Sequence, residues 1–478
     1  MIEIGIFVIN IDAISAFFNG TSPIVLGFLA IIFITWIPIS YLSLKWVLKK
    51  HVKGKQANYT KDWKWVVLAI DIPALNVQTP KAVEQMFSHL AGILVNPSLA
   101  DRIFKGFIQE WFSFEIISIE GYIQFVVRTE EKYQDLLEAA LYAQYPEAEV
   151  IEIEDYVHTI PGEYPNETHD MWGGDFTLQE DDAYPIRQYH DFEHSISKDT
   201  VLKDSMGTFL ESFSRINVGE QMWFQMIVEP AGSKWKEDAI LKIKEVIGEK
   251  VKAKDTAIDK VAAMPIKFLE SVGDQVFGRE DTSPAGGDKD NGPVNQLSFM
   301  TPGKKKIVEA MEDKIAKLGF HTKIRGLYIA RKEVFRPSRG VNALIGAMNQ
   351  YNIPTANSII PGFTTTKDPT KAAFMKAYKE RSPSLGVKAW DKKARSFILN
   401  LEELATVWHF PLSHVKTPLI QKSATKRAEP PAGLPIENVP IQTQETSSTI
   451  AFKEEKGKKD GFDTDSGDIA YGIEGNFG

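Results

Sequence analysis

The sequence has 478 residues, a length that accommodates two or three domains, and 43% of them are hydrophobic and 25% charged. This balance is typical of globular chains that bury a sizeable core. The net charge of −8 is small for the length and argues against a protein that coats nucleic acid over its whole surface. The absence of cysteine excludes a disulfide framework, thiolate metal sites and cysteine nucleophiles.

The first strong pattern in chain order is an apolar stretch at residues 24–44, which carries no formal charge. At 1.5 Å per residue, a helix of this length is roughly 30 Å long, which matches the hydrocarbon core of a bilayer. Five lysines follow between residues 45 and 55. By the positive-inside rule, we predict an extracytoplasmic segment at 1–23, a transmembrane helix at 24–46 and a cytoplasmic remainder, which implies a single-pass protein of the cytoplasmic membrane.

Residues 63–155 show strand and helix patterns in the order βαββαβ. The predicted strands are 65–72, 111–119, 122–127 and 149–153, and the predicted helices are 81–94 and 131–144. Glu120-Gly121 separates the second and third strands and is typical of a hairpin turn. This order is that of a ferredoxin-like sandwich, with both helices on one face of an antiparallel sheet. We predict such a domain at residues 60–157.

The next segment is acidic, because residues 147–182 hold twelve Asp or Glu and no Lys or Arg. We predict an acidic connector at 158–218. A second unit begins near Gly219, with predicted strands at 222–228, 323–330 and 397–401. We predict a second ferredoxin-like domain at 219–420, split by a helical and mobile insertion at about 250–303, and a disordered tail at 421–478. The predicted fold class is α+β, with one transmembrane helix and two ferredoxin-like units.

No motif indicates catalysis or a cofactor. A phosphate-binding loop needs Gly-x4-Gly-Lys-Ser/Thr, and none of the three Gly-Lys pairs is followed by Ser or Thr. His190 and His194 are four residues apart and could bind zinc on one face of a helix, as in a metal-dependent hydrolase. Their segment lacks a helical pattern, so a polar connector is the better interpretation. We predict no catalytic, cofactor-binding or metal-binding residues.

Residues 304–339 are basic, with eleven Lys or Arg against four Asp or Glu, and include the aromatic residues Tyr328 and Phe335. A basic stretch with interleaved aromatics is typical of surfaces that follow a nucleic-acid backbone. The candidate contacts are Arg325, Arg331, Lys332, Arg336 and Arg339. The alternative interpretation is a solvated helix together with ion pairs to the acidic connector.

Three stretches resemble a known family: INVGEQMWFQMIVEPAG at 216–232, NLEELATVWHFPLSHVKTP at 400–418 and AEPPAGLP at 428–435. Together they are similar to the N-terminal, non-motor region of prokaryotic conjugative and type IV secretion ATPases of the HerA/FtsK type. In that family the region precedes a motor domain that opens with a Gly-Thr-Gly-Lys-Ser loop, which this sequence lacks. The resemblance therefore implies a non-motor protein, and no catalytic residue carries over.

From the resemblance we expect a non-enzymatic, membrane-anchored scaffold subunit of a conjugation-like or type IV secretion-like machine, which positions a separate motor ATPase. The candidate docking residues are Trp408, His409, Phe410 and Pro411, because exposed large aromatics usually mark a protein partner. The competing interpretation is that Trp408 and Phe410 are core residues. The alternative function is a membrane-tethered nucleic-acid-binding protein that uses residues 304–339, and an oligomer is compatible with either function.

Overall fold

The computed structural model describes residues 2–4, 7–9, 20, 22–73, 76–192, 204–249, 300–365, 367–381, 396–413 and 415. Residues 1–425 form one compact unit, and the second unit, residues 426–478, lies outside the described residues. Most of the predicted N-terminal segment, the predicted insertion up to residue 299 and the predicted tail are therefore outside the described residues as well.

The chain alternates between strands and helices over this range. The strands are β1 (Ile2–Ile4), β2 (Phe7–Ile9), β3 (Trp65–Asp71), β4 (Phe112–Ile119), β5 (Tyr122–Glu130), β6 (Glu149–Glu152), β7 (His169–Leu178), β8 (Glu220–Pro230), β9 (Gly319–Arg331), β10 (Ile359–Thr364) and β11 (Phe397–Asn400). The α-helices are α1 (Pro23–Tyr59), α2 (Pro80–Leu90), α3 (Gln134–Tyr142), α4 (Ser205–Ser214), α5 (Lys234–Ile247), α6 (Pro302–Ala316), α7 (Pro337–Asn349), α8 (Asp368–Glu380) and α9 (Leu401–Val407).

Local sequence explains where several helices begin. Pro80 occupies the first turn of α2 behind the extended residue Thr79, a position where its missing N–H leaves no hydrogen bond unmade. Asn400 caps α9 by accepting a hydrogen bond from the Glu403 N–H, and the Glu403 side chain accepts one from the Asn400 N–H in return. This reciprocal capping box fixes the first turn of a helix that has only seven residues.

A single sheet of nine strands organises the body of the protein. Eight strands lie side by side in the order β10-β7-β9-β8-β4-β5-β3-β6, and β11 pairs with the beginning of β9. All of these pairings are antiparallel. The strands β1 and β2 form a separate two-stranded hairpin.

The two faces of the sheet carry different layers. Face A carries large apolar side chains such as Phe112, Phe114 and Met226, and α2, α3, α4, α7 and α9 cover it. Face B carries Trp223 and Leu327 beneath α8 and the short turn Tyr156–His158. A third apolar cluster joins α5 and α6 to β11. The protein is therefore a layered α+β structure with apolar cores on both sides of one sheet.

The two outer strands of the sheet have distinctive sequences. At one edge, β6 is four residues long and has a glutamate at each end, Glu149 and Glu152. At the other edge, β10 contains Pro361, and its register with β7 shifts between Pro361 and Phe363. Short length, edge charge and edge proline are features that limit further strand pairing.

The C-terminal end of α1 is anchored to the sheet by aromatic rings. Tyr59 lies 5.7 Å from Phe107 between ring centroids, and Trp63 lies 5.5 Å from Trp111. Gly106 adopts a left-handed conformation against the α1 backbone, where a Cβ atom would collide with Lys55. The close approach of the two backbones therefore requires glycine at this position.

The prediction of a transmembrane helix at 24–46, and with it the membrane localisation, is wrong. Among the helices in the described part of the chain, none has an apolar stretch that meets the length and hydropathy needed to cross a bilayer. Residues 24–46 belong to a helix of 37 residues, α1, which continues through the lysine-rich segment to Tyr59. The run of uncharged residues indicated the length of a span but not the limits of the helix that contains it.

The prediction of two ferredoxin-like units is also wrong. The elements between Trp65 and Glu152 do occur in the order βαββαβ. However, β4 pairs along its other edge with β8, from Phe112 opposite Val228 to Ile119 opposite Gln221, so both predicted units share one sheet. In addition, β7 lies within the predicted acidic connector and pairs with β9 and β10. Pairing between strands this far apart in sequence does not follow from local periodicity.

Candidate interaction surface

The four candidate docking residues lie at the end of α9. Trp408 is 0% exposed, and its ring contacts Phe114 and Phe410 at centroid distances of 4.9 Å each. Phe410 and His409 are also buried, while Pro411 is partly exposed and its carbonyl accepts a hydrogen bond from Asn76. The structure therefore places the two aromatic residues in the core, which is the position that the competing interpretation gave them.

His409 holds two parts of the chain together. Its Nδ1 is 2.7 Å from the Ala405 carbonyl, and its Nε2 is 2.9 Å from Asp204 Oδ1. Burial acts to raise the pKa of Asp204, but His409 and the N–H groups of Met206 and Leu412 outweigh it, so the pKa lies below its ordinary value. Through these two contacts His409 joins the end of α9 to Asp204, the residue that precedes α4.

A second buried ion pair joins Lys314 of α6 to Glu403 of α9. The two charged groups are 3.1 Å apart and fully buried. Glu403 also accepts a hydrogen bond from the Ile186 N–H, and Lys314 donates to the Tyr184 carbonyl. Every charge in this cluster thus has a partner, which is the condition under which buried charges are tolerated.

Arg325, the first candidate nucleic-acid contact, lies deep inside the protein on face B. Its guanidinium contacts Asp175 at 3.0 Å, Gln225 at 3.0 Å and the Ala377 carbonyl of α8 at 3.1 Å. Lys323 also contacts Asp175, at 3.2 Å. Burial lowers the pKa of Arg325, and Asp175 opposes that shift. Arg325 therefore has no access to a nucleic acid in this structure, and its pairing with Asp175 joins the basic stretch to the predicted acidic connector.

These contacts are part of a ladder that crosses four strands. The register places Asp175, Arg325, Gln225 and Glu115 in one row on β7, β9, β8 and β4. Gln225 in turn donates a hydrogen bond to Glu115 at 3.1 Å. We refer to these four residues as the charge ladder.

Arg381, the residue that follows α8, pairs with Glu115 at the end of the charge ladder. It contacts Glu115 at 2.6 Å and Asp155 at 2.7 Å, and Tyr156 donates to Glu115 at 2.8 Å. Burial acts to lower the pKa of Arg381, but Glu115 and Asp155 outweigh it and hold the pKa well above its ordinary value. The network binds α8 and the 155–158 turn to the sheet, and its charges are matched by protein partners rather than left open for a substrate.

An acidic cavity of about 580 Å³ lies beside α5 and is lined by residues that include Asp181, Asp238 and Glu245. Lys242 pairs with Glu245 at 2.9 Å along its rim. Within the described residues, no group of three or more His, Asp or Glu side chains has a geometry that could hold a metal ion. Of the histidine pair, His190 lies 3.5 Å from Glu402 in a short turn, and His194 lies outside the described residues.

The other four candidate contacts lie together at one end of the sheet. Arg331 ends β9, Lys332 follows it, and Arg336 and Arg339 flank the start of α7, all of them exposed. Arg339 pairs with Glu220 at 3.3 Å and donates to the Arg215 carbonyl. We call the surface formed by Arg331, Lys332, Arg336 and Arg339 the basic end surface.

The remaining lysines of the basic stretch lie elsewhere. Lys304, Lys305 and Lys306 are in the first turn of α6, which precedes β9 in the chain. The last turn of α6 leads into the first residue of β9, Gly319, which lies ~40 Å along the strand from Arg331. The structure therefore divides the basic stretch into an α6 group, a buried group and the basic end surface.

The sequence analysis missed the charge ladder, although a signal for it exists. Glu115 in β4 (FSFEIISI) and Gln225 in β8 (EQMWFQMIVEP) each lie between two large apolar residues, and Arg325 in β9 lies between Ile324 and Gly326. A polar residue in the middle of several apolar strands indicates a polar row across a buried sheet, because buried polar groups need partners.

Comparison with known proteins adds a family assignment. Residues 101–423 match the family described as a domain of unknown function, DUF8128. No curated protein matches the chain at a significant level. The matched range extends from before β4 to beyond α9 and contains both the charge ladder and the basic end surface, and it covers more than half of the chain. The chain therefore belongs to the DUF8128 family.

Proposed function

We propose that the chain is a non-enzymatic accessory subunit of a conjugation-like or type IV secretion-like transfer machine, in which it positions a separate motor ATPase. The observation that carries the proposal is that the two described stretches with the resemblance belong to one core. The first stretch contains β8, which pairs with β4, and the second contains Trp408, which packs on Phe114 of β4. The two stretches that carry the resemblance thus pack against the same strand of one folded unit, which supports the proposal.

The interior of the protein supports a positioning role. A scaffold must hold its binding surfaces at fixed distances. The charge ladder joins α8 to the sheet, the Lys314–Glu403 pair joins α6 to α9, and the His409–Asp204 pair joins the end of α9 to the start of α4. Breaking such a buried pair is strongly unfavourable, so each one favours a single arrangement of the layers. In the charged clusters described above, the groups that could act in catalysis are engaged by one another.

The test uses ATPases that contain a Gly-x4-Gly-Lys-Ser/Thr loop and are encoded beside this gene. Each is purified and titrated into the full-length chain by isothermal titration calorimetry, with an unrelated ATPase of the same loop type as control. We expect saturable binding to one neighbouring ATPase and none to the control. Absence of binding to every neighbouring ATPase would contradict the proposal.

A second measurement tests the non-enzymatic part. The full-length chain alone should hydrolyse ATP no faster than buffer, because its sequence contains no Gly-x4-Gly-Lys-Ser/Thr motif, the loop that binds a triphosphate together with magnesium. A steady rate that survives repurification, and that is lost on substitution of a residue of this chain, would contradict this expectation.

A further inference from the structure

The end of the sheet formed by β4, β5, β7, β8 and β9 gathers cations that the fold does not neutralise. Arg331, Lys332 and Arg336 are exposed there and make no ion pair within the described part of the chain. Their backbones are fixed, since the Arg331 N–H donates to the Gly219 carbonyl at 3.0 Å and the Lys332 N–H donates to the Thr168 carbonyl at 2.9 Å. The backbone that carries these cations is therefore ordered by hydrogen bonds.

Most nearby carboxylates are already engaged. Glu220 is buried and accepts from Tyr328 at 2.6 Å and from Arg339 at 3.3 Å. Glu120 accepts from the Gly219 N–H at 2.9 Å, and Glu211 pairs with Arg215. Two exposed carboxylates lie beside the three cations: Glu333 in the same segment, and Glu167 next to Thr168, whose carbonyl accepts from the Lys332 N–H. The basic end surface thus holds three exposed cations without an ion partner in the described part of the chain, together with Arg339, which pairs with Glu220.

Apolar surface lies at the same end of the sheet. Tyr122, the first residue of β5, is 50% exposed, and Val218, just before β8, is 70% exposed. The register places Tyr122 and Arg331 on the same side of the sheet, because Tyr122 shares a row with Ile119, Gln221 and Ile329. Three strand spacings separate β5 from β9, or ~15 Å. An exposed ring therefore lies within reach of the same extended ligand as the cations.

We propose that the basic end surface binds single-stranded nucleic acid, with Arg331, Lys332 and Arg336 on phosphates and Tyr122 stacked against a base. Cations that follow a backbone beside an exposed ring are the two elements of sequence-independent single-strand binding. An acidic protein segment would use the cations but gain nothing from a stacking ring. This inference does not depend on the proposed scaffold function, because an accessory subunit without nucleic-acid affinity would still bind its motor.

The test is fluorescence anisotropy of a fluorescein-labelled oligo-dT of 20 nucleotides with the full-length chain at 50–200 mM salt. Wild-type affinity should fall as salt rises, with a slope of about −0.7 per phosphate contact. The triple variant Arg331→Gln/Lys332→Gln/Arg336→Gln should reduce that slope by about 2 and weaken binding at 50 mM salt by ~10-fold or more. Tyr122→Leu should weaken binding of the single strand about fivefold and leave duplex binding unchanged.

The matched control is Lys304→Gln/Lys305→Gln/Lys306→Gln, which removes the same charge from α6. Unchanged binding by this control supports the assignment, whereas an equal loss in both triple variants shows general electrostatic attraction and overturns it. A poly-glutamate peptide that displaces the oligonucleotide at equal charge concentration identifies an acidic protein partner and overturns it as well. Absence of salt-dependent binding by the wild type would also overturn the assignment. Circular dichroism melts check that every variant is folded.

Discussion

The charge ladder and the basic end surface each contain an arginine of β9, but the arginine is buried and paired in the first region and exposed in the second. Arg325 and Arg331 are six residues apart and point to the same side of the sheet. Arg325 lies beneath α8, where Asp175, Gln225 and a carbonyl of α8 satisfy it. Arg331 lies at the end of β9 and is exposed. The comparison shows that the layer covering a strand, rather than the residue type, decides whether a charged side chain is paired inside the protein or exposed at its surface.

The largest expected effect comes from breaking the network that closes the charge ladder. Arg381→Ala leaves Glu115 and Asp155 without their cation inside the protein, and we expect it to cost about 5 kcal/mol of unfolding free energy. Urea denaturation measures the loss. The matched control is Arg331→Ala at the basic end surface, and equal costs for the two variants would contradict the distinction between the regions.

Truncation of Trp408 distinguishes core from docking surface. Because the ring is fully buried against Phe114 and Phe410, Trp408→Ala should cost about 4 kcal/mol. Denaturation measures the cost, and titration with a neighbouring ATPase checks whether the motor still binds under conditions where the variant is folded. A variant of wild-type stability that no longer binds the ATPase would restore the docking interpretation.

A pH dependence should arise from Glu229, near the end of β8 on face B. Burial raises the pKa of Glu229 to about 7, and Arg102 opposes that shift only in part. A carboxyl group with a raised folded-state pKa contributes stability that is present below its ordinary pKa of 4.5 and is lost as the pH rises to about 7.

Glu229→Gln removes that titration. Between pH 4.5 and pH 8, the stability of the variant should therefore gain about 2–3 kcal/mol relative to the wild type. Urea denaturation across this pH range provides the measurement. Glu149→Gln on the exposed edge strand β6 is the control and should run parallel to the wild type. Parallel curves for Glu229→Gln as well would show that Glu229 is not desolvated enough to titrate abnormally.

The smallest expected effect on stability belongs to the basic end surface. Arg331→Ala removes a side chain without an ion partner in the described part of the chain, and we expect a change within about 0.5 kcal/mol. Thermal melts followed by circular dichroism measure it. A cost of several kcal/mol would mean that Arg331 stabilises the fold, as the buried residues of the charge ladder do, and would remove the distinction between the two regions.

Local patterns predicted much of the secondary structure but not the way in which it assembles. The strands around Val67, Phe114 and Phe125 and the helix around Phe87 follow from alternation and helical spacing. The strand β7 was missed because Asp175 and the Gly173-Gly174 pair interrupt its pattern. Its place in the sheet depends on Arg325, which lies 150 positions further along the chain. Such long-range pairing is a property of the assembled sheet, so a single sequence read locally cannot reveal it.

The candidate sites show the same limit. Four of the five basic candidates do lie together on the surface, because they are close in sequence around one turn. Arg325 was grouped with them for the same reason, although its strand carries it beneath α8. Trp408 and Phe410 were uncertain because an aromatic pair after a short helix is compatible with a core or with an interface. Which of the two applies depends on β4 and β5, which precede them by almost 300 residues.

The outer strands of the sheet also restrict how the protein can assemble with others. Many complexes form by β-augmentation, in which a partner adds a strand to an open sheet edge through main-chain hydrogen bonds. Here Pro361 has no N–H to offer on β10, and β6 provides only four residues, of which the first and the last are glutamates. At these two edges, recognition of side chains is therefore favoured over the addition of a strand. Recognition of that kind can be altered one residue at a time without unravelling the sheet.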